Sequence, residues 1–258
     1  MPPCLFVTGT DTEVGKTIAS LGLIRALQRR GNRVMAFKPV AAGASAYACF
    51  EGQLLNEDAY LLQHTADFEL DYASVNPFLL DEPIAPHIAA RRAGLRLSVS
   101  DCVEHISKVV TRKADASTVV VVEGAGGWRV PLNDTEYFSS IAASLNASVV
   151  LVVAIRLGCL NHALLSAEAI RGDGLELAGW VANFQQDVPA DAYDILNNNV
   201  DTLSSALNAP LLARIDHHPG LGGLFNDDER PALVDRLADG FSAGQSIVPD
   251  TQTTATPI

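Results

Sequence analysis

Positive charge, lysine, aromatics and long apolar runs are all scarce in this 258-residue sequence, and each shortage narrows what the chain can do. Lys and Arg number 18 against 30 Asp and Glu, for a formal net charge of -12. Nucleic acids and anionic membranes demand a positive field, so neither is an expected partner, and any anionic substrate must be held by local groups. Only four lysines occur (Lys16, Lys38, Lys108 and Lys113), so a lysine inside a glycine-rich turn is not explained by abundance. Cys4, Cys49, Cys102 and Cys159 are scattered, with no zinc or redox spacing and no dense disulfide framework, which fits a reducing, cytoplasmic setting. From Met1 the chain runs straight into a short apolar strand, and its longest apolar runs fall short of a membrane span, so no export or anchoring signal is expected.

What remains is an ordinary globular composition, 48% hydrophobic and 19% charged, far from the profile of disorder. The length suits one α/β domain around a large core, expected over 1–244, with a loosely ordered tail over 245–258 that is rich in Thr and carries two prolines. No internal repeat is visible. An apolar strand over 4–7 meets a Gly/Thr-rich turn over 8–15, and helical periodicity follows through Ile18, Leu21, Ile24 and Leu27 to Gly31. A second strand over 33–39 ends in Lys38 and Pro39 and gives way to small residues over 40–48. A helix is expected over 57–64, whereas 72–87, punctuated by Pro77, Pro83 and Pro86, reads as loop.

Further on, a helix over 98–112 precedes the β-branched run 118–122, a strand covered on both faces, with Glu123 directly after it. Strands over 148–155, 177–182 and 210–215 alternate with helices over 161–170 and 192–207. Such alternation predicts a single-domain, three-layer α/β fold with a mainly parallel sheet, helices on both faces and ligands at the carboxyl ends of the strands; the glycine-rich turn between the first strand and helix is the setting that makes such a fold one of P-loop type.

The strongest local signal is Gly9, Thr10, Asp11, Thr12, Glu13, Val14, Gly15, Lys16, Thr17, lying between strand and helix. Glycines let the backbone curl so that successive amides point inward as an anion nest, and the following helix adds its positive end. Lys16 would reach the β and γ phosphates, and the Thr17 hydroxyl would ligate magnesium. The loop is a variant, because Thr10 holds the place of the usual first glycine and Gly9 lies one residue earlier. The alternative is a plain glycine turn capped by Thr17.

Glu123 can supply a hard oxygen ligand, and burial would require it to have a cation or metal beside it. The small residues Gly124, Ala125, Gly126 and Gly127 leave room for a ligand against backbone, or form an ordinary turn. Asp58 at a helix start reads, on the residue pattern alone, as a cap or dipole partner. Lys38 reads equally as a solvated lysine before a turn-forming proline. Periodicity does not separate these readings.

The loop 9–17 together with 37–40 (FKPV), Asn76 and Pro77, 82–87 (EPIAPH), 123–128 (EGAGGW), 157–162 (LGCLNH) and 179–183 (GWVAN) resembles the dethiobiotin synthetase family, in the family's order, across roughly residues 4 to 215. The resemblance implies a homodimeric ATP- and Mg2+-dependent cyclo-ligase of biotin biosynthesis. It would join carbon dioxide to 7,8-diaminononanoate (7,8-diaminopelargonate), releasing dethiobiotin, ADP and phosphate. A carbamate forms, the γ phosphate moves onto it as a mixed anhydride, and the second amine closes the ring.

By the same resemblance Lys16 and Lys38 are the catalytic cations, and Thr17, Asp58 and Glu123 surround magnesium. Glu13, Val14, Gly15, Ile18, Glu123, Gly124, Ala125 and Gly126 line the nucleotide, with Asn183 and Phe184 at the adenine. Lys38 and Ala42 face the substrate, whose carboxylate meets Gly158, Cys159 and Asn161 of the neighbouring subunit. In the bland reading Asn161 is a helix cap. Pro83, Pro86 and His87 would border the aliphatic part. There are two departures from the pattern: Ala42 stands where members often carry a small hydroxyl residue, and the segment Asp216, His217, His218 and Pro219 stands where members usually have a proline directly after the strand. Two other readings remain at this stage, a related P-loop amidoligase and a non-enzymatic dimeric nucleotide switch. The switch usually carries an extra lysine early in the loop, where this chain has Thr10 and Asp11.

Overall fold

Val119 and Val121 contribute to one buried core and Val120 and Val122 to another, so the unbroken apolar run at the centre of the molecule serves two faces at once. The computed structural model describes residues 1–46, 54–185, 190–217, 228, 230–241 and 248. Its strands are β1 Cys4–Gly9, β2 Arg33–Phe37, β3 Val40–Ala42, β4 Ser45–Ala46, β5 Leu54–Leu55, β6 Phe78–Leu80, β7 Thr118–Gly127, β8 Ser148–Ala154, β9 Leu177–Asn183 and β10 Leu211–Ile215. Its helices are α1 Lys16–Arg29, α2 Glu57–Thr65, α3 Tyr72–Val75, α4 Pro86–Arg92, α5 Val99–Lys113, α6 Ser139–Ser144, α7 Cys159–Gly172, α8 Ala190–Ala206 and α9 Arg230–Asp239.

Six strands form one sheet in the order β10-β9-β8-β1-β7-β2, and every neighbouring pair is parallel. Leu21, Ile24 and Leu27 of α1 and Leu233, Val234 and Leu237 of α9 cover one face. The other face is covered by Cys102, Ile106 and Val109 of α5, Ala163, Ala167 and Ile170 of α7, and Leu203 of α8. This is the expected three-layer α/β fold. From β1 the chain builds outward to β7 and β2 on one side and to β8, β9 and β10 on the other. The end of β1 is therefore the topological switch point, where ligands collect in such sheets. Among the described residues no helix is long and apolar enough to cross a membrane.

Three expectations need correction. The stretch 72–87 is not simply loop: it holds α3 and β6, and α4 begins at Pro86, with β6 pairing in parallel with β3. Proline is tolerated at the first helical position, where its missing amide hydrogen has no partner to lose. Glu123 does not follow a finished strand, because β7 continues through it to Gly127, which pairs with Gly9. Gly124, Ala125, Gly126 and Gly127 are therefore strand rather than turn. Asn161 is not the cap of α7; the cap is Gly158, in a left-handed conformation with φ 91°, and Asn161 lies inside the first turn. The expected loose tail, apart from Val248, and the departures at His218 and Pro219 lie outside the described residues.

Candidate active site

Between β1 and α1 the backbone turns through positive φ at Glu13 (58°) and Gly15 (89°), which curls the amides inward. Gly15 is required twice over, by its φ and because an added Cβ would sit 2.1 Å from Asn183 Nδ2. No side chain caps α1 and no acidic residue occupies its first turn, so its leading amides stay available to an anion. The turn is held from the neighbouring strand ends. Thr10 N donates to Val152 O at 3.0 Å, Asn183 Nδ2 donates to Val14 O at 2.9 Å, Gln185 Nε2 donates to Glu13 O, and Arg156 pairs with Asp11 at 3.2 Å. Lys16 is buried and its Nζ reaches back to Asp11 O at 3.3 Å. Burial, then the like charge of Lys38, lower its ammonium to about 8, against the pull of Glu123 and Asp58.

Beneath this loop lies a buried ionic network. Lys38 follows β2 directly and is only 4% exposed. Its backbone is pinned from both sides, by its amide donating to Val75 O at 3.0 Å and by Asn76 Nδ2 donating to its carbonyl at 2.7 Å. Its Nζ stands 2.7 Å from Asp58 Oδ2 and 2.5 Å from Glu123 Oε1. Glu123, with no exposed surface, also accepts from Thr17 Oγ1 at 3.0 Å through Oε1 and from Ser20 Oγ at 2.7 Å through Oε2. Burial alone would lower the Lys38 ammonium, but the charges of Asp58 and Glu123 outweigh it and hold it above its ordinary range. Burial likewise pushes Asp58 upward, and Lys38 reverses that, leaving its carboxyl below the ordinary value.

The solvated-lysine reading of Lys38 is thus excluded. So is a purely capping Asp58, because Asn56 caps α2 through a bond from Ala59 N at 3.3 Å. Ser20 was not anticipated from sequence. The available signal was a hydroxyl three residues after Thr17, on the same helix face, amid apolar neighbours.

A cavity of about 840 Å³ opens over these groups. Glu13, Gly15, Lys16, Thr17 and Ile18 line it from the loop and α1, while Lys38, Ala42, Asp58, Ala125 and Gly126 line it from the other elements. Glu123 and Val14 are buried and do not line the cavity, and Gly124 packs on Phe6, where an added Cβ would come within 3.0 Å. Asn183 sits behind the loop, and Phe184 stacks on Tyr193 with ring centroids 5.5 Å apart. Pro83 and Pro86 line the cavity, but His87 lines a separate one of about 470 Å³. Gly158, Cys159 and Asn161, at the start of α7, do not line the main cavity. Asp216 accepts from Tyr193 at 2.7 Å and pairs with Arg214 at 3.3 Å.

Among the described residues no cluster of three or more His, Cys, Asp or Glu is spaced to hold a metal ion by itself. Two carboxylates and a hydroxyl are what converge here. That all-oxygen set fits magnesium, which completes its shell with phosphate and water rather than with a full protein cage.

A family model described as an AAA domain matches residues 4–223. The chain is 50% identical over 213 residues to the ATP-dependent dethiobiotin synthetase BioD of Pseudomonas aeruginosa (strain UCBPP-PA14), covering 83% of this chain and 89% of that protein. It is 44% identical over 234 residues to the BioD of Marinobacter nauticus, covering 90% and 93% of the two chains. Among solved structures, the MinC:MinD cell division protein complex of Aquifex aeolicus superposes with a TM-score of 0.54 at 14% identity, covering 92% of this chain and 94% of that one. A ParA family ATPase from Chlorobium tepidum TLS gives 0.54 at 12% identity, covering 93% and 98%. Likeness at that level speaks for the fold alone. Identity near half over most of both chains does more, and with a phosphate loop set above a buried Lys38–Glu123 pair it places the chain in the ATP-dependent dethiobiotin synthetase family.

Proposed function

We propose that the chain catalyses ATP-dependent closure of 7,8-diaminononanoate and carbon dioxide to dethiobiotin in biotin biosynthesis, with release of ADP and phosphate. The observation that carries this reading is the second buried lysine. A loop that only bound nucleotide would need Lys16 and Thr17, whereas Lys38 adds a cation at the cavity, next to Lys16 and held by Asp58 and Glu123.

In this reading the γ phosphate lies over Lys16 and the amides of the loop, with Glu13, Val14, Gly15, Ile18 and residues 124–126 around the nucleotide and Asn183 and Phe184 towards the base. Thr17, Asp58 and Glu123 would hold Mg2+, which when bound offsets phosphate charge. One substrate amine takes up carbon dioxide and loses a proton, giving a carbamate. A carbamate oxygen then attacks the γ phosphorus, and the bond to the β-phosphate oxygen breaks, leaving ADP. Finally the second amine attacks the anhydride carbonyl and expels phosphate.

Carbamate and γ phosphate repel each other, so Lys16 and Lys38 must hold both anions together and stabilise charge as the phosphoryl group moves. Ala42 offers no hydroxyl, so it shapes the substrate side without donating to it. The working unit is a cytoplasmic homodimer of a catalytic domain spanning 1–244. The substrate carboxylate meets the first turn of α7 from the second subunit, where Gly158, Cys159 and Asn161 lie.

The test is a reconstitution with single omissions. ADP release is expected only when Mg2+, ATP, bicarbonate and the diamine are all present. Equal turnover without the diamine would contradict the assignment.

A further inference from the structure

We infer that the Lys38 ammonium is a stand-in cation: in the nucleotide-free protein it occupies the space between Asp58 and Glu123 that a divalent ion would take, and joint loading of metal and nucleotide moves it onto the incoming anions. The inference rests on the proposed function above, because it takes Thr17, Asp58 and Glu123 as the metal-holding groups.

The geometry leaves little alternative. Glu123 has no exposed surface, and each of its oxygens is already engaged, Oε1 by Lys38 and Thr17 and Oε2 by Ser20. Lys38 and Thr17 together take up both acceptor sites of Oε1, so a cation reaches that oxygen only when one of the two leaves. Ser20 holds only Oε2, and Thr17 is itself an oxygen donor that a metal would keep. Among the described residues, Lys38 is the cation that bonds both carboxylates. A second cation entering that space would meet like charge at hydrogen-bond distance, so ammonium and metal exclude each other.

Lys38 also has somewhere to go. Its side chain lines the main cavity and ends in a flexible four-carbon stem, unlike a rigid planar guanidinium. Metal alone would strand the ammonium in a largely buried place without a partner, which is strongly unfavourable. Metal with nucleotide supplies phosphate oxygens as its new partners. The exchange thus couples the two ligands, and by linkage each must strengthen the other. It also sets an order, in which Lys38 faces the reacting phosphoryl group only once metal is seated. Ser20 keeps its grip on Oε2 throughout, so Glu123 stays in place while Oε1 changes partner.

The test is a titration of the full chain with Mn2+, followed by electron paramagnetic resonance, with and without a non-hydrolysable ATP analogue. Without nucleotide, Lys38→Met is expected to bind Mn2+ about tenfold more tightly than the wild type, within the usual range of site coupling. No gain would overturn the exchange. Glu123→Gln separates this from the reading beneath it. If that variant binds Mn2+ with the analogue as tightly as the wild type, the metal assignment itself fails. If it binds more weakly while Lys38→Met shows no gain, only the exchange fails.

Should Lys38→Met not fold, the wild type still decides. With four lysines in the sequence, 15N-labelled ammonium groups give at most four signals. The Lys38 signal is expected to move when Mg2+ and the analogue are added together, and to hold its position with Mg2+ alone. A signal unmoved by both together would contradict the proposal.

Discussion

The two ends of α1 carry two charged clusters that look alike on paper and differ in what they do. At the outer end Arg25 pairs with Asp235 at 2.6 Å, and Arg29 pairs with Asp235 at 3.1 Å and Asp239 at 2.7 Å, binding α1 to α9. These side chains are 38–68% exposed, so water screens them and each pair is worth about 0–1 kcal/mol. Contact there is secured by packing instead. A Cβ on Gly22 would come within 2.8 Å of Phe241 and 3.1 Å of the Leu237 carbonyl, so the two helices meet at glycine distance. At the inner end Thr17 and Ser20 hold Glu123 against Lys38, and both charged groups are buried. There the charges are costly to bury and are fixed in position, a combination that suits chemistry better than stability.

Breaking the inner cluster should have the largest effect. Glu123→Gln leaves Lys38 with Asp58 as its remaining charged partner, and we expect about 3 kcal/mol of destabilisation in a urea melt. Turnover should fall by about 10³-fold, the scale of a lost electrostatic contact at a reacting centre. A midpoint close to wild type would mean that the network is loosely held. Ser20→Ala sharpens the same comparison: one buried carboxylate oxygen loses its donor, at a cost of about 2 kcal/mol, and a measured loss near zero would remove Ser20 from the network.

Arg29→Ala at the outer end should cost under about 1 kcal/mol with activity unchanged. A loss as large as that of Ser20→Ala would erase the distinction between the two ends. Smallest is the effect of Asp115, half-exposed beside Arg33 at the start of β7. Hydrogen bonds from Ser117 and Thr118, and then Arg33, lower its carboxyl to about 2. Because the folded value lies below the unfolded one, its contribution is present above about pH 4 and disappears as pH falls towards 2. Melting points of wild type and Asp115→Ala should therefore converge across that window. A gap that persists at pH 2 would assign the effect to packing.

The strands and helices of the large sheet were legible because both faces are covered, which writes unbroken apolar runs into β1, β7 and β8. The turn that carries Lys16 and Thr17 was legible because a strand, a glycine-rich turn and a helix in succession make a local object. The extension of β7 through 123–127 was not, because glycine is a poor strand former and its pairing is imposed by β1. Nor was α4, since proline reads as a breaker unless it falls on the first turn. The pattern reading also stops at Ile215 and gives no helix for α9.

Within the site, periodicity places Glu123 at a strand end but not its partners; Thr17, Asp58 and Lys38 were grouped with it by the resemblance alone, and Ser20 by neither. Lys38 and Asp58 meet across 20 residues, and Lys38 and Glu123 across 85. Such contacts depend on strand order, which single-sequence periodicity does not contain. That is why Lys38 could equally be read as a solvated lysine until the sheet was in view, and why Ser20 went unnoticed.

Lys38→Ala, assayed for dethiobiotin formation alongside its affinity for ADP, isolates what the second buried lysine does. ADP affinity should stay within about threefold of wild type while kcat falls about 10³-fold, as expected if Lys38 acts on the transferring group rather than on the bound nucleotide. Normal turnover by that variant would leave Lys38 no part in the chemistry.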